Sequence, residues 1–219
     1  MKKLLALIIL PVVLGGPWAC AARTDLRPLA DLAGGGPPAF CQKNAPDQPW
    51  AASFKIDGVF LGGRRVVLIG ANRYDPVPRR LESVLLTVEG LVVFAGTVEP
   101  GRIFVEKALP PFDGPDLARG LLADVELMFL TPTGPPDYFG INPDGRPACR
   151  WRKPDGSVIE IGLSPNGDKT ILLFDPWGRL TRRVLASAVE ENGPPGRLRL
   201  QALRGGVYNL TVELLEKER

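Results

Sequence analysis

Residues 149–184 read CRWRKPDGSVIEIGLSPNGDKTILLFDPWGRLTRRV, a succession of β-type runs separated by turns of similar composition. The tetrapeptides at 153–156, 164–167 and 175–178 are KPDG, SPNG and DPWG, and residues 142–145 read NPDG. Proline presets the second position of a type I turn, and glycine adopts the left-handed conformation that follows. Turns that recur in this way between apolar runs predict an antiparallel meander.

The runs between the turns alternate apolar and polar residues. Cys149 and Trp151 share one face of a strand with Arg150 and Arg152 on the other, and Glu160 lies between two isoleucines. Such alternation predicts antiparallel strands with one dry face and one face in water. Comparable runs extend the sheet in both directions and cover 53–57, 65–71, 83–88, 91–97, 102–107, 197–202 and 207–214.

One segment has helical periodicity. Residues 113–116 read DGPD, which places a proline in the first turn of a helix and acids near its positive end. Leu121, Val125 and Met128 line one face of this segment, and Pro132 ends it. We expect this single amphipathic helix to lay its apolar stripe on the sheet.

We expect the acids of the helical segment and the arginine pairs to be exposed to solvent. Asp113, Asp116, Asp124 and Glu126 are explained by helix capping and a solvated helix face better than by catalysis with paired carboxylates. Arginine pairs such as the one at 182–183 are interpreted as residues of the wet face of the sheet, where anionic lipid heads could contact them.

The first twenty residues form a secretory signal. Lys2 and Lys3 precede an apolar run over 4–14 that is shorter than the roughly 20 residues a bilayer span requires. Residues 17–20 resemble a bacterial lipobox, which predicts a signal peptide over 1–19, lipidation of Cys20 and a flexible, Gly- and Pro-rich tether over 20–49. The alternative is ordinary cleavage after Ala21. With Ala21 after the cysteine, resemblance to lipoprotein sorting rules favours the outer membrane.

The two other cysteines are Cys41 and Cys149, which are 108 positions apart. An oxidising compartment and an even count predict a disulfide between them. The alternative is a pair of inert buried thiols. A reactive nucleophile has no support, because the chain contains no histidine and offers no obvious base.

Composition excludes several classes of function. The absence of histidine excludes Ser-His-Asp and Cys-His sites and histidine-ligated zinc. The sequence has no Gly-rich phosphate loop and no metal-spaced cysteine set, so we expect no cofactor, no metal and no enzymatic activity. A net charge of +3, evenly spread, argues against nucleic-acid binding.

The order of elements resembles the half-barrel fold of the LolA/LolB-like lipoprotein carriers and receptors, and a related family of small lipoproteins would fit equally well. Residues 85–91, LLTVEGL, are similar to the LolB strand that ends in Leu-Leu-Thr before a short protruding loop, and the helix near 115–130 falls where that family has a helix across the barrel mouth. The resemblance implies a mainly β domain over 50–219 with one or two helices, an antiparallel incomplete (half) β-barrel covered by a helix.

The same resemblance implies a ligand site. Its expected lining is formed by inward-facing residues of strands and helix, namely Phe54, Ile56, Leu86, Val92, Phe94, Phe104, Leu121, Val125 and Phe129. Leu91 is the counterpart of the exposed apolar residue with which LolB helps insert cargo into the membrane. Filling of an ordinary core is the alternative interpretation of the lining residues.

Two hypotheses about function follow. In the first, an outer-membrane lipoprotein on the periplasmic face binds acyl chains or lipoproteins in an apolar concavity for lipoprotein localisation, and a periplasmic carrier protein is its partner. In the second, the chain is a non-catalytic envelope assembly lipoprotein that docks onto a protein complex. Bound lipid would distinguish the first from the second.

Overall fold

The computed structural model describes residues 25–31, 37–42, 46, 48–60, 63–130, 132–188, 193–204 and 208–218. The first five strands, β1–β5, are Trp50–Phe60, Arg64–Asp75, Arg80–Leu86, Val92–Glu99 and Arg102–Ala108. The helices α1 and α2 are Ala39–Gln42 and Pro115–Phe129. The remaining strands, β6–β12, are Tyr138–Ile141, Pro147–Arg152, Val158–Leu163, Lys169–Phe174, Leu180–Ala186, Arg197–Ala202 and Tyr208–Glu218.

All twelve strands belong to one sheet in the order β5-β4-β3-β2-β1-β12-β11-β10-β9-β8-β7-β6. Every pair of neighbours is antiparallel, and the first and last strands pair in its middle, with Ile56 opposite Val212. The two edge strands, β5 and β6, follow one another along the chain and are joined through α2. The sheet is therefore open, and α2 connects its two edges.

The four proline–glycine turns form as their composition predicts. Gly145, Gly156, Gly167 and Gly178 all have φ between 74° and 84°, a conformation that glycine adopts without a steric penalty. In each turn the glycine N–H donates to the carbonyl of the residue three positions earlier, at 2.8–3.0 Å. These turns connect β6 to β10 as the predicted meander.

Helix α2 begins and ends close to the predicted positions. Gly114 is its N-cap, Pro115 occupies the first turn, and Asp116 places its carboxylate near the positive end of the helix dipole. At the other end, the backbone of Leu130 is extended and its N–H donates to the carbonyl of Glu126 at 2.8 Å.

The sheet curves around α2. Gly96 in β4 lies directly under Leu122 of the helix, while Asp124 forms an ion pair with Arg182 in β10. These two strands are six intervals apart in the sheet, about 29 Å on a flat surface at roughly 4.8 Å per strand. A helix is only about 10 Å wide, so both contacts require a concave sheet. The predicted fold class, an incomplete antiparallel barrel with a helix over its concave face, is confirmed.

The described parts of the segment at 25–42 lie on the sheet. The N–H groups of Asp25 and Leu26 donate to the carbonyl of Gly178, and Ala30 forms a bridge with Ile141 at the free edge of β6. Pairing at this edge satisfies backbone groups that would otherwise remain open. The prediction of a free tether over 20–49 therefore needs correction at these residues. The signal peptide predicted over 1–19 and Cys20 lie outside the described residues.

The predicted disulfide is present. Cys41, in the one-turn helix α1, is bonded to Cys149 in β7, with 6.1 Å between the two Cα atoms. Both cysteines are buried. The disulfide fixes the segment that precedes β1 to the half of the sheet that follows α2.

Candidate functional site

The concave face carries an aromatic cluster beneath the end of α2. The ring of Phe129 lies 5.2 Å from that of Phe54 and 5.7 Å from that of Trp50, and Tyr74 lies 5.9 Å from Trp50. Offset rings at such distances add to the energy of apolar burial. This cluster belongs to an apolar core that runs across both halves of the sheet under the helix.

Most of the predicted lining residues lie in this core. Phe54, Phe94, Leu121 and Phe129 are buried there. Ile56 and Val125 are half-buried and pack against it. The structure thus brings six of the nine predicted residues together at the interface of helix and sheet, in agreement with their spacing along strand and helix. Whether they bind a ligand stays a prediction.

The prediction that Phe104 faces inward is wrong. Phe104 pairs with Thr97, whose hydroxyl donates to the Glu106 carboxylate at 2.7 Å on the outer face, and Phe104 is 44% exposed. A β-bulge between Ala95 and Gly96 interrupts the pairing of β4 with β5. The bulge lies beyond Phe104 as seen from the hairpin turn. Between the turn and the bulge the pairing is regular, so the register of the hairpin places Phe104 beside Thr97 on the outer face.

Leu86 departs from the prediction for a related reason. It pairs with Ile69 in β2, whereas its neighbour Leu85 pairs with Gly70 and Phe94 on the concave face. Leu86 therefore points to the outer face, next to a second bulge at Leu85–Leu86. Val92 pairs with Leu86 and therefore also lies on the outer face, half-buried at the beginning of β4, so the prediction that it faces inward is wrong.

The turn between β3 and β4 projects apolar side chains into water. Leu91 and Val88 are 56% and 64% exposed. The turn is held by Gly90 N–H, which donates to the Thr87 carbonyl at 2.9 Å, and by Leu91 N–H, which contacts the Thr87 hydroxyl oxygen at 3.3 Å. A hydrogen bond from the Thr87 side chain lowers the pKa of Glu89.

A second exposed apolar side chain lies at the same rim of the sheet. Trp177, in the turn between β9 and β10, is 70% exposed, as its turn position predicts, and the guanidinium of Arg179 lies 4.8 Å from its ring centre. Successive hairpin turns alternate between the two rims of an antiparallel sheet. The strand order places this turn and the one that carries Leu91 at one rim.

A groove of about 320 Å³ opens beside α2 on the concave side. Leu127 and Leu130 form its helix wall, and Trp151, Ile159 and Leu173 form its floor on the sheet. Its volume is at the small end of the range for small-molecule sites. The groove extends the apolar core toward the surface.

The loop after α2 closes one side of this groove. The indole N–H of Trp151 donates to the Gly134 carbonyl at 3.1 Å, and Arg152 N–H donates to the Asp137 carboxylate at 2.7 Å. Pro132, Thr133 and other residues of the loop line the groove. The long loop thus serves as a wall that hydrogen bonds attach to β7.

Two buried polar atoms on the concave face have no hydrogen-bond partner within the described residues. They are the indole Nε1 of Trp50, a donor, and the amide Oδ1 of Asn72, an acceptor. Buried polar groups are nearly always paired in folded proteins. These two atoms could hydrogen bond a polar group that enters the concave side.

One buried ion pair attaches the helix to the sheet. Arg182 Nε donates to the two carboxylate oxygens of Asp124 at 2.9 and 3.3 Å, and the hydroxyl of Tyr208 donates to the same carboxylate. Burial raises the pKa of Asp124 to about 6, in opposition to the guanidinium, which lowers it. Removing charges from water is costly, so such a pair fixes geometry more than it adds stability.

The assignment of Asp124 and Arg182 to solvated faces is wrong. Asp124 is 4% exposed. The helical spacing contains the signal that could have found it, because Asp124 lies three residues after Leu121 and four before Met128, inside the apolar stripe. No such signal in the sequence identifies its partner, which is 58 positions away.

The described residues contain no group of three or more His, Cys, Asp or Glu side chains placed to hold a metal ion. No helix among them is long and apolar enough to cross a membrane.

The fold and site define an open antiparallel sheet that wraps one helix with an apolar concave face. Two solved structures are similar to it. A LolA superfamily protein from Nitrosomonas europaea matches with a TM-score of 0.44 and 10% identity over 79% of this chain and 86% of its own. An outer membrane lipoprotein-sorting protein domain from Vibrio parahaemolyticus matches with a TM-score of 0.33 and 4% identity, over 78% and 84%. No protein family and no curated protein matches the sequence.

Proposed function

We propose that this chain binds acyl chains of lipids or lipoproteins on the concave face of its sheet, beside α2, and takes part in lipoprotein localisation. The observation that carries the proposal is the groove lined by Leu127, Leu130, Ile159 and Leu173, which is continuous with the apolar core and open to the surface. Each methylene that leaves water contributes about 0.8 kcal/mol. An acyl chain therefore gains several kcal/mol from such a surface.

Polar groups are positioned to accept the rest of such a ligand. Arg79, Arg152 and Lys153 line the groove together with its apolar residues, and would lie near an acidic or polar head. The groove thus combines apolar walls with charged groups, which also include the carboxylates of Glu126 and Asp137.

We propose a location on the periplasmic face of the outer membrane, with Cys20 as the lipid anchor. Leu91 and Val88 on the rim of the sheet would enter the membrane surface, and a periplasmic carrier protein would supply the cargo. Replacement of Cys20 by alanine should release the protein from membranes during fractionation. Unchanged membrane association would contradict lipidation at this residue.

A substitution in the groove tests ligand binding. Ala123 lies on the helix wall, and an Ala123→Phe variant should fill the groove and weaken binding of a fluorescent fatty acid at least tenfold. The matched control, Ala71→Phe, adds the same side chain at an exposed position on the outer face of β2 and should bind as the wild type does.

The protein itself provides a second test. Native mass spectrometry after gentle purification should find bound lipid. If neither bound lipid nor fatty-acid binding is found, the acyl-binding function is wrong. Co-purification of a stoichiometric protein partner would then favour the alternative function, a non-catalytic assembly lipoprotein that docks onto an envelope complex.

A further inference from the structure

A polar cleft of about 770 Å³ lies on the outer face of the sheet, opposite α2. Its floor is a row of four cross-strand neighbours in β7–β10, in which Arg150 pairs with Glu160, Glu160 with Leu172, and Leu172 with Arg183. These residues point away from Arg182 and the helix, because adjacent residues of a strand face opposite sides. The cleft is thus separate from the apolar groove.

The segment before β1 forms one wall of this cleft. Arg150 Nη2 donates to the Arg27 carbonyl at 2.6 Å, and the Asp25 carboxylate accepts the N–H of Leu180 at 3.0 Å. Arg146 and Asp144, from the β6–β7 turn, and Arg204, after β11, complete the rim. The walls are held by backbone hydrogen bonds and the disulfide, so the cleft is formed without a ligand.

The charges in the cleft are unbalanced. Five arginines and three acids line it. Among these arginines, Arg150 has a carboxylate partner within the described residues, because its Nε and Nη2 both donate to Glu160 Oε2, at 2.7 and 2.5 Å. In the part of the chain that the structure describes, no hydrogen bond or ion pair involves the guanidinium groups of the other four, which are Arg27, Arg146, Arg183 and Arg204.

We propose that this cleft binds a phosphate-bearing polar ligand. A phosphate group carries about −1.5 to −2 charges at neutral pH and accepts paired hydrogen bonds from arginine, so one or two phosphates match four free guanidinium groups. Asp144, Asn142 and Thr170 offer acceptors and donors for hydroxyl groups on the body of the ligand. This site does not depend on acyl binding by the concave face.

The ligand chemistry has two sources, a lipid head group or a soluble phosphate ester. Calorimetric titration of the protein with inorganic pyrophosphate should show saturable binding. Flotation assays should compare vesicles that contain phosphatidylglycerol with vesicles of phosphatidylcholine alone. They should use the Cys20→Ala form, so that a lipid anchor cannot contribute to binding. If the protein binds the anionic vesicles and pyrophosphate releases it from them, the ligand is a lipid head group. If the protein binds pyrophosphate but not the vesicles, the ligand is soluble. Both results support the site.

A double variant tests the arginines. Arg183→Gln with Arg204→Gln removes two exposed side chains from the cleft and should raise the Kd for pyrophosphate at least about tenfold. The control, Arg102→Gln with Arg119→Gln, makes the same change of net charge at two exposed positions outside the cleft and should leave the Kd unchanged. Equal weakening in both variants, or no pyrophosphate binding by the wild type, overturns the proposal.

Discussion

On the outer face of β1–β3, charged side chains pair in water, whereas on the outer face of β7 and β8 a pair is buried. Arg80 and Glu82 are 3.1 Å apart with side chains 44% and 45% exposed. Arg150 and Glu160 are 2.5 Å apart with side chains only 10% and 4% exposed. The two strand segments have the same alternating pattern, so the difference arises from what covers them.

The segment before β1, of which residues 25–31 and 37–42 are described, covers the buried pair and is called the cover below. It contacts β6, β7 and the β9–β10 turn through Ala30, Arg27 and Asp25, and no described residue lies in a comparable position over β1–β3. Alternation within a strand therefore predicts which residues share a face. Whether that face is wet depends on a segment more than 100 positions away.

The largest effect should come from removing the disulfide that fixes this cover. A Cys41→Ala, Cys149→Ala variant opens a loop of 108 positions, and the free energy of unfolding should fall by about 4–5 kcal/mol in the chain-entropy model. Urea denaturation measures the loss, and the reduced wild type is the control that should match the variant. Hydrogen exchange should rise on β7–β9 more than on β1–β3. A uniform rise would contradict the idea that the disulfide secures only one half.

Breaking the buried pair should have the next largest effect. Glu160→Gln leaves the Arg150 charge without its partner and should lower the free energy of unfolding by about 3 kcal/mol. The same change in the exposed pair, Glu82→Gln, should remain within about 1 kcal/mol. Thermal and urea denaturation of both variants test the difference. If the two losses are equal, the cover does not exclude water from the pair.

Turns and helix were predictable because local chemistry determines them. The turn at 164–167 and the helix from Pro115 need only proline, glycine and the spacing of apolar residues. Phe104 was assigned to the wrong face, because its side depends on the residue of β4 that it pairs with, and the hairpin between β4 and β5 places it opposite Thr97. The apolar stripe of the helix indicates the burial of Asp124 but not its partner Arg182, which is 58 positions away. Burial of Glu160 depends on the segment before β1, whose Arg27 carbonyl is 123 positions from Arg150.

The ion pair under the helix should make stability depend on pH. The pKa of Asp124 is raised from 3.8 to about 6 in the folded protein. The folded state therefore holds an extra proton between these values, and stability from this group falls as pH rises from about 4 to about 6, by about 3 kcal/mol at most. The free energy of unfolding of the wild type minus that of Asp124→Asn, measured by urea denaturation across this pH range, should show this fall. Tyr208→Phe, which keeps the carboxyl and Arg182, should retain it; a flat difference curve would contradict the raised pKa.

The smallest effect concerns the contact between the cover and β6. A Cβ at Gly140 would overlap the backbone of Ala30 and lie 3.0 Å from the Cβ of Leu29. Gly140→Ala should therefore displace the cover from the edge of the sheet, lower the free energy of unfolding by about 1–2 kcal/mol and speed hydrogen exchange of the Ala30 N–H, which donates to the Ile141 carbonyl. Gly162→Ala is the control on β8, where the added Cβ finds its nearest atom, Asn142 Nδ2, at 3.4 Å. Because the disulfide still holds the segment at Cys41, the released portion should be confined to residues before it. Faster exchange at the Ala30 N–H with unchanged exchange on β7 would show that the bridge at Ala30 and the disulfide act separately, whereas unchanged exchange at Ala30 in Gly140→Ala would mean that the edge pairing does not secure the cover.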